Sequence, residues 1–132
     1  MRLLLLLFLL CSAELRADPK SHYMIHCMGC HLMDGQGQPP DVPVLDESLG
    51  RLIESDAGRA YLVRVPGAAQ APINDAELAG VINWMLNKYS AATLLDSFTP
   101  YTESEVRQHR HQILADPLKF KAALTGKQHG AL

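Results

Sequence analysis

Apolar side chains recur at Leu78, Val81, Ile82, Met85 and Tyr89, close to the 3.6-residue period of a helix. Asn74 or Asp75 stands where an N-cap belongs, so this spacing predicts a helix running to about Asn87. Asp18-Pro19 reads as an N-cap followed by proline at the first helical position, and predicts a helix over 19–27 with Tyr23 one turn before Cys27. A second helix is expected from Glu47 to Val63, broken by Val65-Pro66-Gly67. Thr102-Glu103-Ser104-Glu105 reads as a capping box opening a fourth helix, and Asp116-Pro117 opens a fifth that Gly126 ends. Asp34-Gly35-Gln36-Gly37 is a turn, the proline-rich stretch 38–43 a loop and 90–100 a linker. The pattern is mainly helical.

The first residues obey a different logic. Met1-Arg2 is a basic start, Leu3 to Leu10 is an unbroken apolar run, and small or polar residues follow to Ala17. Such a run is too short to span a bilayer but fits the apolar region of a secretory signal. Cleavage is expected after Ala17, with Ala13 as the second choice. A lipoprotein reading through Cys11 fits poorly because Leu10 stands where a small residue is wanted, and an uncleaved anchor is the remaining alternative. The expected product is exported to the periplasm, soluble, with no stable membrane span once residues 1–17 are removed. It would stay membrane-anchored if the signal were retained.

Composition narrows the picture. With 132 residues, 48% hydrophobic, 20% charged and a net charge of −2, the chain is one ordinary globular unit. Nothing in that balance suits a polyanion, so nucleic acid is excluded as an expected partner. One Trp, four Tyr and three Phe are few for filling a core, which suggests that something else helps to fill it.

Beyond the leader the cysteines are Cys27 and Cys30, and they fall in one motif, Cys27-Met28-Gly29-Cys30-His31. This is the attachment signature of a c-type haem. Two thiols three positions apart can reach the two vinyl groups of a porphyrin and form thioethers, and the adjacent imidazole can bind the iron. A zinc site would need about four ligands, and no second pair stands nearby. A thioredoxin-like pair would want a βαβ pattern, and a disulfide across so short a loop would be strained. No carboxylate pair, Ser/His/Asp set or phosphate loop suggests separate catalysis.

These residues resemble the small class I c-type cytochromes over roughly 20–89. The resemblance implies an all-α, cytochrome c-like helical domain around one covalently bound haem c, here residues 18–95 with a C-terminal helical extension over 96–132. In that family an aromatic often precedes the first haem cysteine by four residues, as Tyr23 does, and a turn like Asp34-Gly35-Gln36-Gly37 follows the haem histidine. The resemblance implies that the Pro43 carbonyl accepts a hydrogen bond from the His31 imidazole and that Leu45 packs on the haem. The need for an acceptor there stands without the family, because an imidazole bound through one nitrogen must donate from the other. Trp84 matches an aromatic that packs the last core helix across the first.

The likeness breaks at the sixth ligand. The loop that usually supplies a methionine reads Pro66-Gly67-Ala68-Ala69-Gln70-Ala71-Pro72, with Gln70 near the ligand's place. Met24, Met28 and Met33 lie in or beside the attachment motif, which leaves Met85 as the distant candidate for the distal iron position. An apolar helix stripe also accounts for Met85. His109 or His111 from the extension, or an open position, complete the alternatives. The expected function is a one-electron carrier, not an enzyme, working between a periplasmic dehydrogenase and a downstream acceptor. A ligand-binding or sensing haem module and a dedicated subunit of a dehydrogenase complex are the competing readings. The core of this chain is acidic while the extension is nearly charge-balanced, which fits either a clasp over the core or a docking arm.

Overall fold

A computed structural model describes residues 18–129, with side chains to 126. Residues 1–17, where a secretory signal is expected, lie outside the described residues, Cys11 included. Among the described residues eight α-helices follow one another: α1 Pro19–His26, α2 Met28–His31, α3 Ser48–Leu52, α4 Asp56–Arg64, α5 Pro66–Ala69, α6 Asp75–Tyr89, α7 Glu103–His109 and α8 Pro117–His129. A 3-10 turn occupies Ala91–Thr93, and an isolated bridge pairs Gln38 with Val42. No strand is formed among the described residues.

Local chemistry accounts for the boundaries. Asp18 caps α1 by accepting from Lys20 N–H at 2.8 Å. Asn74 and Glu77 form a reciprocal capping box that opens α6. The helix expected over 47–63 is two helices, α3 and α4. Ser55 adopts an extended backbone and its hydroxyl accepts from Gly58 N–H, which starts a new helix where a continuation was expected. Gly58 is required there, since a Cβ would collide with the Leu52 carbonyl. Pro66 breaks α4 as expected and then serves as the first residue of α5. Thr102 caps α7, but the Glu105 carboxylate does not close the box. It forms a two-point pair with Arg59 at 2.7 and 2.8 Å. Gly126 does not end α8, which runs on to His129; a glycine stops a helix by turning left-handed, and among the described glycines only Gly35 and Gly37 have positive φ.

The core is the crossing of α1 and α6 with α3 and α4 folded against it. Tyr23, Trp84 and Tyr89 make an aromatic cluster at that crossing, with ring centroids 5.0 to 6.0 Å apart. Trp84 is thus the packing residue expected. Leu78, Val81, Ile82 and Leu86 bury the same face of α6.

The extension packs onto this core through directed contacts. Asn83 and Tyr101 exchange side-chain and backbone hydrogen bonds at 2.9 and 2.7 Å. The Arg59 guanidinium lies 4.1 Å from the Tyr101 ring centre, and Tyr61 stacks on Phe120 at 6.2 Å. Val106 and Leu114 are buried.

Gly58 and Gly126, both helical, should respond oppositely to alanine. Gly58→Ala forces backbone apart and should cost about 1–3 kcal/mol in denaturant unfolding. Gly126→Ala meets open space and should be neutral or stabilising by up to about 1 kcal/mol.

Candidate haem-binding cleft

The attachment motif sits at a sharp junction of α1 and α2. Cys27 ends α1 and caps α2, and the N–H of His31 donates to the Cys27 carbonyl at 3.0 Å, so thiols and imidazole share one turn of chain. Leu32 then turns left-handed at φ 57°. Two phenols, the buried Tyr23 and the half-buried Tyr89, hold that turn: Tyr23 Oη donates to the Leu32 carbonyl at 2.7 Å and Tyr89 Oη to the Met33 carbonyl at 2.9 Å. Burial pushes the Tyr23 phenol above its ordinary range, so it stays a donor.

The chain returns to His31 by way of two glycines. Gly35 and Gly37 have φ of 79° and 61°. A Cβ on Gly35 would stand 2.7 Å from the Leu45 carbonyl, and one on Gly37 2.5 Å from the Val42 carbonyl. Those close approaches let Leu45 N–H donate to the Gly35 carbonyl at 2.7 Å and bring residues 42–45 beside the motif. The result is a 3.1 Å contact between His31 Nδ1 and the Pro43 carbonyl oxygen. A carbonyl only accepts, so Nδ1 carries the proton and Nε2 is left as the free lone pair. Burial lowers the His31 pKa, with the Pro43 hydrogen bond opposing it, which favours the neutral imidazole that can bind a metal.

Cys27, Cys30 and His31 open onto a cleft of about 340 Å³, within the size of cofactor sites. Its walls are apolar: Leu45, Leu49 and Leu62 from one side of the core, Leu78, Val81, Ile82 and Met85 from α6, and Val65 to Ala68 from the end of α4 and start of α5. Both cysteines are free thiols, and burial raises the Cys27 thiol above its usual value. An apolar cleft with two thiols and one imidazole on its rim suits a large flat apolar group anchored covalently at one edge. It also explains how a chain poor in aromatics completes its core. The donor set fits haem c.

The sequence-derived candidates converge on this cleft, with Cys27, Cys30, His31, Pro43, Leu45 and Met85 all lining it. Met24 and Met33 are exposed, and Met28 packs on the core. Gln70 is exposed at the end of α5, and neither it nor His109 or His111 lines the cleft. Three lining residues gave no signal in the sequence. Tyr61 reads there only as a helical apolar position, and Leu118 and Lys121 reach the cleft from α8, some sixty positions further on. No helix among the described residues is long and apolar enough to cross a membrane.

No family model matches the chain. It is similar to cytochrome c-552 of Thermus thermophilus, at 29% identity over 146 aligned residues that cover 91% of this chain and 98% of the relative. A second Thermus thermophilus cytochrome c-552 is 28% identical over 118 residues, covering 71% of this chain and 90% of the relative. Likeness along nearly the whole chain, a helical fold and an attachment motif opening onto an apolar cleft point one way: the chain is similar to small c-type cytochromes, and its cleft suits a covalently bound haem c.

Proposed function

We propose that this protein is a c-type cytochrome, an exported, periplasmic one-electron carrier that bears one haem per chain and passes electrons from a dehydrogenase to a downstream acceptor protein. The observation that carries the reading is the junction at 27–31, where two free thiols and an imidazole oriented by Pro43 face one apolar cleft. In this reading Cys27 and Cys30 hold the haem by thioethers, and His31 Nε2 binds its iron. When bound, the haem supplies the one-electron couple. The Pro43 carbonyl keeps His31 in one tautomer and orientation and strengthens its donation to the metal. The apolar walls exclude water and hold the site rigid, which keeps the structural change on electron transfer small. The basic start and apolar run of residues 1–10 support export.

Met85 is the methionine that shares the cleft with His31, and we assign it as the distal thioether. One observation favours a second reading, a haem that binds small exogenous ligands: the loop 66–72 contains no methionine, and Gln70 faces solvent.

A potentiometric titration of the purified protein should give a single reversible one-electron transition. An irreversible response, or none, would contradict the carrier reading. Met85→Ala should abolish the near-infrared sulfur-to-iron band and lower the potential. A wild type that is already high-spin and takes up carbon monoxide would instead support the ligand-binding reading. Gly37→Ala should push residues 42–43 off His31. The His31 Nδ1 proton, which should exchange slowly by NMR in the wild-type holoprotein, should then exchange at least about tenfold faster, as expected when about 1.4 kcal/mol of protection is lost.

A further inference from the structure

The cleft wall at 65–68 runs on into an irregular segment, 70–74, that does not itself line the cleft and carries buried carbonyls into α6. Residues 69, 71 and 73 are buried while Gln70 and Pro72 face solvent, so alternate residues turn inward. Backbone N–H groups in the segment are used locally: Ala69 donates to Val65 O at 2.9 Å, Gln70 to Pro66 O at 3.0 Å and Ile73 to Ala71 O at 2.8 Å. An irregular buried backbone with unmet carbonyls is costly, and a short helix such as α5 leaves its last carbonyls without intrahelical partners.

Arg110, from the end of α7 in the extension, meets this need. Its Nε donates to the Ala69 carbonyl at 3.0 Å, one terminal nitrogen to the Ile73 carbonyl at 2.7 Å, and the other to the Ala71 carbonyl. The nitrogen that binds Ile73 also donates to Asp75 Oδ1 at 3.0 Å, at the first residue of α6. The side chain is only 11% exposed. Four donors of one planar guanidinium thus converge on four positions of a seven-residue stretch, which a lysine could not reproduce.

We propose that Arg110 is a positioning residue that clamps residues 69–75, the stretch that holds the 65–68 cleft wall against the start of α6. The loop that usually ties itself to the iron through a methionine here contains none, and the extension closes it from outside instead. None of the Arg110 contacts involves Cys27, Cys30, His31 or Met85. The clamp rests on the geometry of the polypeptide, and the haem reading enters only for what the wall guards.

Two measurements on the holoprotein test this: amide hydrogen exchange read by mass spectrometry, and the rate at which imidazole binds the ferric haem. In Arg110→Ala the amides of 69–73 should exchange at least tenfold faster in both oxidation states, while those of 20–31 stay unchanged, and imidazole should bind several-fold faster. Arg110→Lys should show the same pattern, more weakly, and covers the case in which the alanine variant fails to fold. Arg59→Ala, which frees Glu105 and severs a different anchor of the extension, should leave 69–73 unchanged. Unaltered exchange at 69–73, or a uniform rise across the whole chain, would overturn the clamp. Faster exchange at 69–73 with unaltered imidazole binding would overturn its guarding role. A protein that carries no haem would sink the functional reading above while the exchange arm still decides the clamp.

Discussion

The contact between His31 Nδ1 and the Pro43 carbonyl is the interaction around which the site is organised. It assigns the proton to one ring nitrogen and presents the other to the cleft. Twelve residues separate the partners, and the chain can close that loop only because Gly35 and Gly37 accept left-handed backbone where a Cβ would strike the carbonyls of Leu45 and Val42. The phenols of Tyr23 and Tyr89 fix the other end by holding the Leu32 and Met33 carbonyls. Anchor, imidazole and acceptor therefore move as one unit, which is what a site that must keep its ligands through an oxidation-state change requires.

The extension belongs to the same structural logic. Arg59 and Arg64 of α4 reach outward, one pairing with Glu105 and stacking on Tyr101, the other donating to the Gln112 carbonyl at 2.7 Å and lying over Phe120. Arg110 reaches inward. Planar cations on both sides of the interface satisfy carbonyls and carboxylates where irregular chain meets irregular chain, while Val106 and Leu114 bury apolar surface between them. Mixed charges, which in the sequence suggested either a clasp or a docking arm, are spent largely on contacts within the chain. α8 brings Leu118 and Lys121 to the rim of the cleft, so the extension also shapes the site.

What was legible in the sequence follows from the range of the forces involved. The motif at 27–31, the caps at Asp18, Asn74 and Thr102, and the stripe of α6 are set by neighbours within a few positions, and each stands in the structure where its pattern placed it. The division of 47–63 into α3 and α4 was missed because Ser55, whose extended backbone and hydroxyl cap α4, stands inside a stretch that otherwise reads as one helix. Glu105 looked like the closing half of a capping box and was drawn away by Arg59, forty-six positions earlier. The role of Arg110 had no local signature, because its partners lie thirty-five to forty-one positions away and three of them are backbone carbonyls.

The central claim is that Cys27 and Cys30 hold a haem at the edge of the cleft that His31 faces. Extraction with acidified acetone, followed by the intact mass of the recovered protein, tests it most directly. The account predicts that the colour stays with the polypeptide, that the mass exceeds that of the processed chain by one haem, and that the added mass maps to the peptide containing 27–31. Haem that passes into the organic phase and leaves an unmodified chain would contradict it.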